Sequence, residues 1–189
     1  GWQDAFVLLH NRPWEDVYDP LTALRAFAQA ARQNLALRLL MPGCGSLTAQ
    51  ITALLAEEGL ADRVHLPGAL NQDDLANYYR AANLYLSASR SDGSSVSLLE
   101  ALACGTPALV SDIPGNREWV QPGQNGWLFP LGDVEALAQK ILFAAESTFI
   151  EAMAKNARQL AEQRADWDQN KAGIFQAYDL ALARVGDSR

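Results

Sequence analysis

At 189 residues the chain has room for one good hydrophobic core, and a second full domain would be cramped. A formal net charge of −7 excludes a general nucleic-acid binder, which carries a basic face, and no apolar run approaches the length of a membrane span. The two cysteines, Cys44 and Cys104, have no ligand spacing around them and are expected to be small, buried and reduced.

In chain order, the opening "GWQDAFVLLH" lacks the basic segment and long apolar core of a secretory signal. It enters a strand pattern at 5–10 almost at once, as a chain cut from something longer would. Further strands are expected at 36–41, 63–68, 83–89, 107–112 and, shortest, 126–130. Amphipathic helices are expected at 21–34, 47–58 and 72–82, and a fourth follows the loop after strand four. Three more close the chain at 133–145, 148–163 and about 167–185. Short apolar strands alternating with helices point to βαβ units and a parallel sheet covered on both faces. The expectation is a single α/β domain over 1–189: a doubly wound, six-stranded, Rossmann-like sheet with extra C-terminal helices, the last at 166–186. In such sheets ligands sit beyond the carboxyl ends of the strands, where the strand order reverses.

Of the loops at that edge, "SRSDGSSVSLLEALACG" (89–105) is the most informative. One reading is structural: Ser97 caps a helix, Glu100 reaches back as the partner in a capping box, and Asp92-Gly93 is a turn pair. The other is functional. Backbone N–H groups of Ser94, Ser95 and Val96 at a helix start form an anion site suited to phosphate, and Gly93 lets the ligand come close. Acids on either side, Asp92 and Glu100, would then hold hydroxyl groups. A phosphate flanked by two polyols describes a nucleoside diphosphate sugar.

From Asp92 through Glu100 and on into "ALACGTPALVSDIPGNREWV", the chain resembles the donor-site signature of retaining GT-B glycosyltransferases of family 4, the glycosyl transferases group 1. "RVHLPGALNQDDLANYYRAANLYLSASR" and "PGQNGWLFPLGDVEALAQKI" resemble two further segments of that family, and Trp167 and Tyr178 in the last helix also fit. The likeness covers nearly the whole chain but only the C-terminal, donor-binding half of such an enzyme. It implies that Glu100 binds the ribose hydroxyls and that Asp92 faces O3 or O4 of the donor sugar. Ser95 and Val96 would offer amides to the distal phosphate or the sugar. Ala69 and Leu70, just past Gly68, would meet the nucleobase through backbone, and Leu99 joins the donor-binding set. Arg12 would neutralise the leaving diphosphate.

The resemblance further implies retaining transfer of a hexosyl group in polysaccharide biosynthesis, with no obligatory metal or other cofactor. A glycan or lipid-linked saccharide would accept the sugar on an absent N-terminal domain, so the isolated chain is expected to be inactive. The implied location is cytoplasmic, with peripheral contact at the inner membrane through that absent half; this chain itself gives no support for membrane or nucleic-acid contact. Two positions depart from the family pattern. Asp92 stands where Glu is usual, and the family's lysine after the arginine has no match in "NRPWEDVYDPL", where Val17, Tyr18 and Asp19 are the nearest candidates. The alternatives are a non-catalytic nucleotide-binding module of the same fold and a GT-B nucleotide-sugar epimerase. Among other residues, Trp14, Trp119 and Trp127 are expected to pack, His65 to be structural, and His10 to lie at the switch point or the core edge.

Overall fold

A computed structural model of the chain describes residues 2–186. Six strands form one sheet: β1 (Phe6–Leu9), β2 (Leu37–Leu40), β3 (Val64–His65), β4 (Leu84–Ser87), β5 (Ala108–Ser111) and β6 (Gly126–Phe129). All pairs are parallel and the order is β3-β2-β1-β4-β5-β6, so the direction of winding reverses between β1 and β4. Period-two alternation divides each strand between two cores. Leu8, Leu39, Leu84, Leu86 and Leu109 face α1 (Pro20–Gln33), α2 (Thr48–Glu57) and α6 (Val134–Glu146). Val7, Leu9, Leu40, Tyr85 and Val110 face α3 (Gln72–Ala81), α4 (Val96–Ala103) and α7 (Ile150–Arg164). Trp14, Trp119 and Trp127 are all buried, as expected.

Local signals account for the helix starts. Asp19 takes the left-handed conformation (φ 44°) before Pro20, and its carboxylate accepts from Thr22 N at 3.3 Å. Pro20 supplies a helical φ and lacks the N–H that the first turn would leave unpaired. Asp133 caps α6 in the same way through Ala136 N at 2.9 Å.

Several expectations need correction. Strand three is two residues long, because Pro67 cannot donate to a ladder and Gly68, at φ 80°, turns the chain away. The residues "PGNR" form a one-turn helix, α5 (Pro114–Arg117), where only a loop was expected. Cys44 is exposed and Cys104 half-buried, although both are free thiols. The last helix, α8 (Trp167–Gly186), leaves Trp167, Phe175, Tyr178, Leu180 and Leu182 exposed. No helix among the described residues is long and apolar enough to cross a membrane.

Candidate functional site

The reversal point opens on the loops that follow β1 and β4. From β1, His10 is fully buried and its Nδ1 lies 3.1 Å from Leu86 O. A carbonyl only accepts, so Nδ1 carries the proton and Nε2, with no partner, is left bare. Burial lowers its pKa to about 4, which makes His10 a neutral core residue. Two residues on, the Arg12 guanidinium turns under the second loop. It donates to Ser95 Oγ at 2.8 Å, Ser97 Oγ at 2.7 Å and Asp92 Oδ2 at 2.5 Å. The Tyr18 ring covers its face, 4.1 Å from centroid to Cζ. Only 8% of Arg12 is exposed, and in this structure the partners of its guanidinium all come from the protein.

The helix carried by that loop begins two residues earlier than a Ser97 cap would require. Ser95 is the cap, accepting from Leu98 N at 3.5 Å, and Ser97 is the second helical residue. Ser97 Oγ instead meets Tyr85 OH at 2.8 Å. Glu100 is then the fifth residue of α4, too far along to close a capping box. With Leu98 served by Ser95 Oγ and Leu99 by Ser95 O at 3.0 Å, the N–H groups of Val96 and Ser97 are left without helical partners. Val96 is 68% exposed, whereas Ser97 is buried. An anion placed there would meet two backbone donors and the positive end of the helix.

Glu100, half-buried, accepts from Tyr79 OH at 3.0 Å, and Tyr79 OH accepts in turn from Asn11 Nδ2 at 2.9 Å. Burial holds the Tyr79 hydroxyl protonated far above the ordinary phenol range. This chain fixes one carboxylate oxygen and leaves the other for a ligand. Glu100 also lines a cleft of about 190 Å³ between α3 and α4, with Leu75, Ala76 and Cys104. Gly68, Ala69 and Leu70 follow β3 on a separate loop, anchored where Gly68 O accepts from Gly43 N at 2.9 Å.

The structure thus joins Arg12, Asp92 and Ser95 directly, places Val96, Leu99 and Glu100 on the helix they precede, and keeps Gly68–Leu70 apart. Sequence patterns gave no sign of Tyr79, Tyr85 or Asn11 as partners, because their contacts are between residues 12 or more positions apart. Exposed Arg90 reaches the buried carboxylate of Asp19 at 3.1 Å, and Arg117 pairs with Asp112 at 2.6 Å at the surface. Among the described residues, no group of three His, Cys, Asp or Glu side chains converges to hold a metal ion.

Residues 6–164 match the family described as glycosyl transferases group 1. The chain is 31% identical over 192 aligned residues to D-inositol 3-phosphate glycosyltransferase of Thermobispora bispora, covering 96% of this chain and 45% of that protein. It is similar to the pneumococcal O-GlcNAc transferase GtfA in complex with UDP and GlcNAc, with TM-score 0.78 and 27% identity over 84% of this chain and 32% of that one. The fold is shared with Anabaena HepE in complex with UDP, at TM-score 0.86 and 24% identity, over 95% of this chain and 50% of that one. The chain spans between about a quarter and just under half of the curated relatives it matches. On a family match that covers most of its length and a GT-B-like fold, the chain belongs to the glycosyl transferases group 1 family.

Proposed function

We propose that this chain is the donor-binding part of a glycosyltransferase that uses a nucleoside diphosphate sugar. The observation that carries the reading is the start of α4 at the strand-reversal point: the backbone N–H groups of exposed Val96 and buried Ser97 have no helical partner, and a buried arginine lies beneath them. In this reading the distal phosphate sits on Val96 and Ser97, and Glu100, steadied by Tyr79, takes the ribose hydroxyls. The base lies along the backbone of Gly68, Ala69 and Leu70. Leu99 backs Glu100 on the helix, while Gly93 and Ser94 shape the approach.

Arg12 and Asp92 act as a pair. Bound to each other, they hold the loop in shape before the donor arrives. The diphosphate offers Arg12 a stronger anion, and the released Asp92 carboxylate turns to sugar hydroxyls. As the glycosidic bond breaks, negative charge grows on the diphosphate, and Arg12 with the helix amides stabilises it electrostatically. Such a clamp works without a resident metal, and retention of configuration is carried over from the family resemblance alone. The acceptor, a glycan or lipid-linked saccharide, would be held by residues outside this chain, so the chain alone would transfer nothing.

A second reading, a nucleotide-binding module without chemistry, draws on the loop after β1, which offers Val17, Tyr18 and Asp19 where a second cation would stand. Titration calorimetry with UDP on single alanine variants tests the clamp. Arg12→Ala should weaken UDP binding at least tenfold, since charge-assisted bonds to phosphate are the strong ones. Arg117→Ala should leave it within about twofold, as expected of an exposed ion pair. Equal effects would mean that the loop after β1 is not a phosphate site.

A further inference from the structure

On the opposite edge of the sheet, residues 121–125 lead into the amino end of β6 and face α7 across a cleft of about 230 Å³. Six of its seven lining residues are carboxamides: Gln121, Gln124, Asn125, Asn156, Gln159 and Gln163, with Leu160 as the seventh. We propose that this cleft is a non-catalytic binding site for a neutral oligosaccharide, separate from the donor site.

The framework is fixed. Asn125 is buried, with Oδ1 accepting from Gln121 N at 2.7 Å and Nδ2 donating to Trp119 O at 2.8 Å. Asn156 Nδ2 donates to Gln124 O at 2.9 Å and so ties α7 to the loop. Asn156, Gln159 and Gln163 are spaced three and four apart, which puts them on one face of α7. Apart from Ala152, the rest of the exposed surface of α7 is charged, through Glu151, Lys155, Arg158, Glu162 and Arg164. A face that is merely solvated would have no reason to exclude those residue types. This one does exclude them, and only where it meets the loop.

The chemistry selects the occupant. With Asn125 and Asn156 engaged in the framework, the four glutamines each offer two donors and an acceptor without charge, and a sugar hydroxyl both donates and accepts. An ionic ligand would find no counter-charge on the walls, and an apolar one would find only half-buried Leu160. Gln159 and Gln163 are about 6 Å apart along the helix, comparable with one hexose unit. The carboxyl ends of the strands, where Arg12 and Asp92 lie, are on the other edge, so occupancy here leaves the donor site free. The inference goes beyond the donor reading and does not rest on it.

The test is side-chain amide NMR on the 15N-labelled chain, titrated separately with maltohexaose, cellotetraose, chitotetraose and mannohexaose. At least one should shift the NH2 signals of Gln121, Gln124, Gln159 and Gln163 with a dissociation constant on the order of 1 mM. A hyaluronan hexasaccharide, being anionic, should bind no more tightly. The Gln159→Ala/Gln163→Ala double variant, altered only at exposed positions, should bind about tenfold more weakly, as loss of two hydrogen bonds implies. Its UDP affinity should not change, which keeps this test distinct from that of the donor site. No shift at these amides with any of the four sugars, or an affinity untouched by the double variant, overturns the proposal. So does a shift produced by an unstructured alanine peptide and by none of the sugars.

Discussion

Glu100 is the residue at which a structural and a functional reading first diverged, and the geometry separates them. Ser95 caps α4, so a capping role for Glu100 is gone, and its protein partner is the Tyr79 hydroxyl. Glu100→Gln keeps an acceptor for that hydroxyl but loses the charge. It should leave melting almost unchanged and weaken UDP binding roughly tenfold, because charge-assisted bonds are about twice as strong as neutral ones. Calorimetry with 2′-deoxy-UDP completes the cycle: its loss on the wild type should match that of UDP on the variant, and the two should not add. Equal binding of UDP and its deoxy analogue by the wild type would remove Glu100 from the ribose. His10 makes a different prediction. The folded state refuses a proton down to about pH 4, whereas the unfolded chain accepts one near 6.5. Stability therefore falls as pH drops through that window, by about 2 kcal/mol between pH 7 and pH 5. Urea unfolding at the two pH values should show this loss in the wild type and little of it in His10→Asn, which retains a donor for Leu86 O. The same loss in both would assign it to other groups.

The loop before α4 is shaped by a neighbouring element. A Cβ on Gly115, in the single turn of α5, would press on the carbonyl oxygens of Asp92, at 2.6 Å, and Gly93. Both are backbone atoms, so relief would require the loop itself to move. Gly115→Ala should therefore destabilise the fold by about 1–3 kcal/mol, as overpacking does. Gly93→Ala meets nothing within 4 Å and should leave stability nearly unchanged. Denaturant unfolding of the two variants compares them directly, and equal stability would contradict this packing. Neither contact is readable from local sequence. The identities of the strands and of the long helices were legible, because hydrophobic period and turn residues act within a few positions. The limits of β3, the existence of α5 and the cap of α4 were not. The first was missed although Pro67 and Gly68 are local stop signals, the second depends on how "PGNR" meets the loop after β4, and the third on Tyr85, a strand residue, engaging the Ser97 hydroxyl.

For the molecule as a whole, the alternation of short strands and helices was enough to anticipate a doubly wound parallel sheet, and the reversal between β1 and β4 places the loops after them side by side. Proximity of Asp92 and Ser95 could be read from the sequence. Their attachment to Arg12, some 80 positions away, could not, because only the crossover of the sheet brings them together. That attachment turns three separately chosen residues into one unit, and it underlies the central claim that this edge of the sheet receives a nucleoside diphosphate. Backbone amide NMR of the 189-residue chain during titration with UDP tests the claim most directly. Saturable shifts should concentrate at residues 68–70 and 92–100, with Arg12 side-chain signals moving as its bond to Asp92 is exchanged. Absence of saturable shifts at about 10 mM UDP, a concentration at which even a binder of −4 kcal/mol would be largely occupied, or shifts centred away from those two loops, would contradict it.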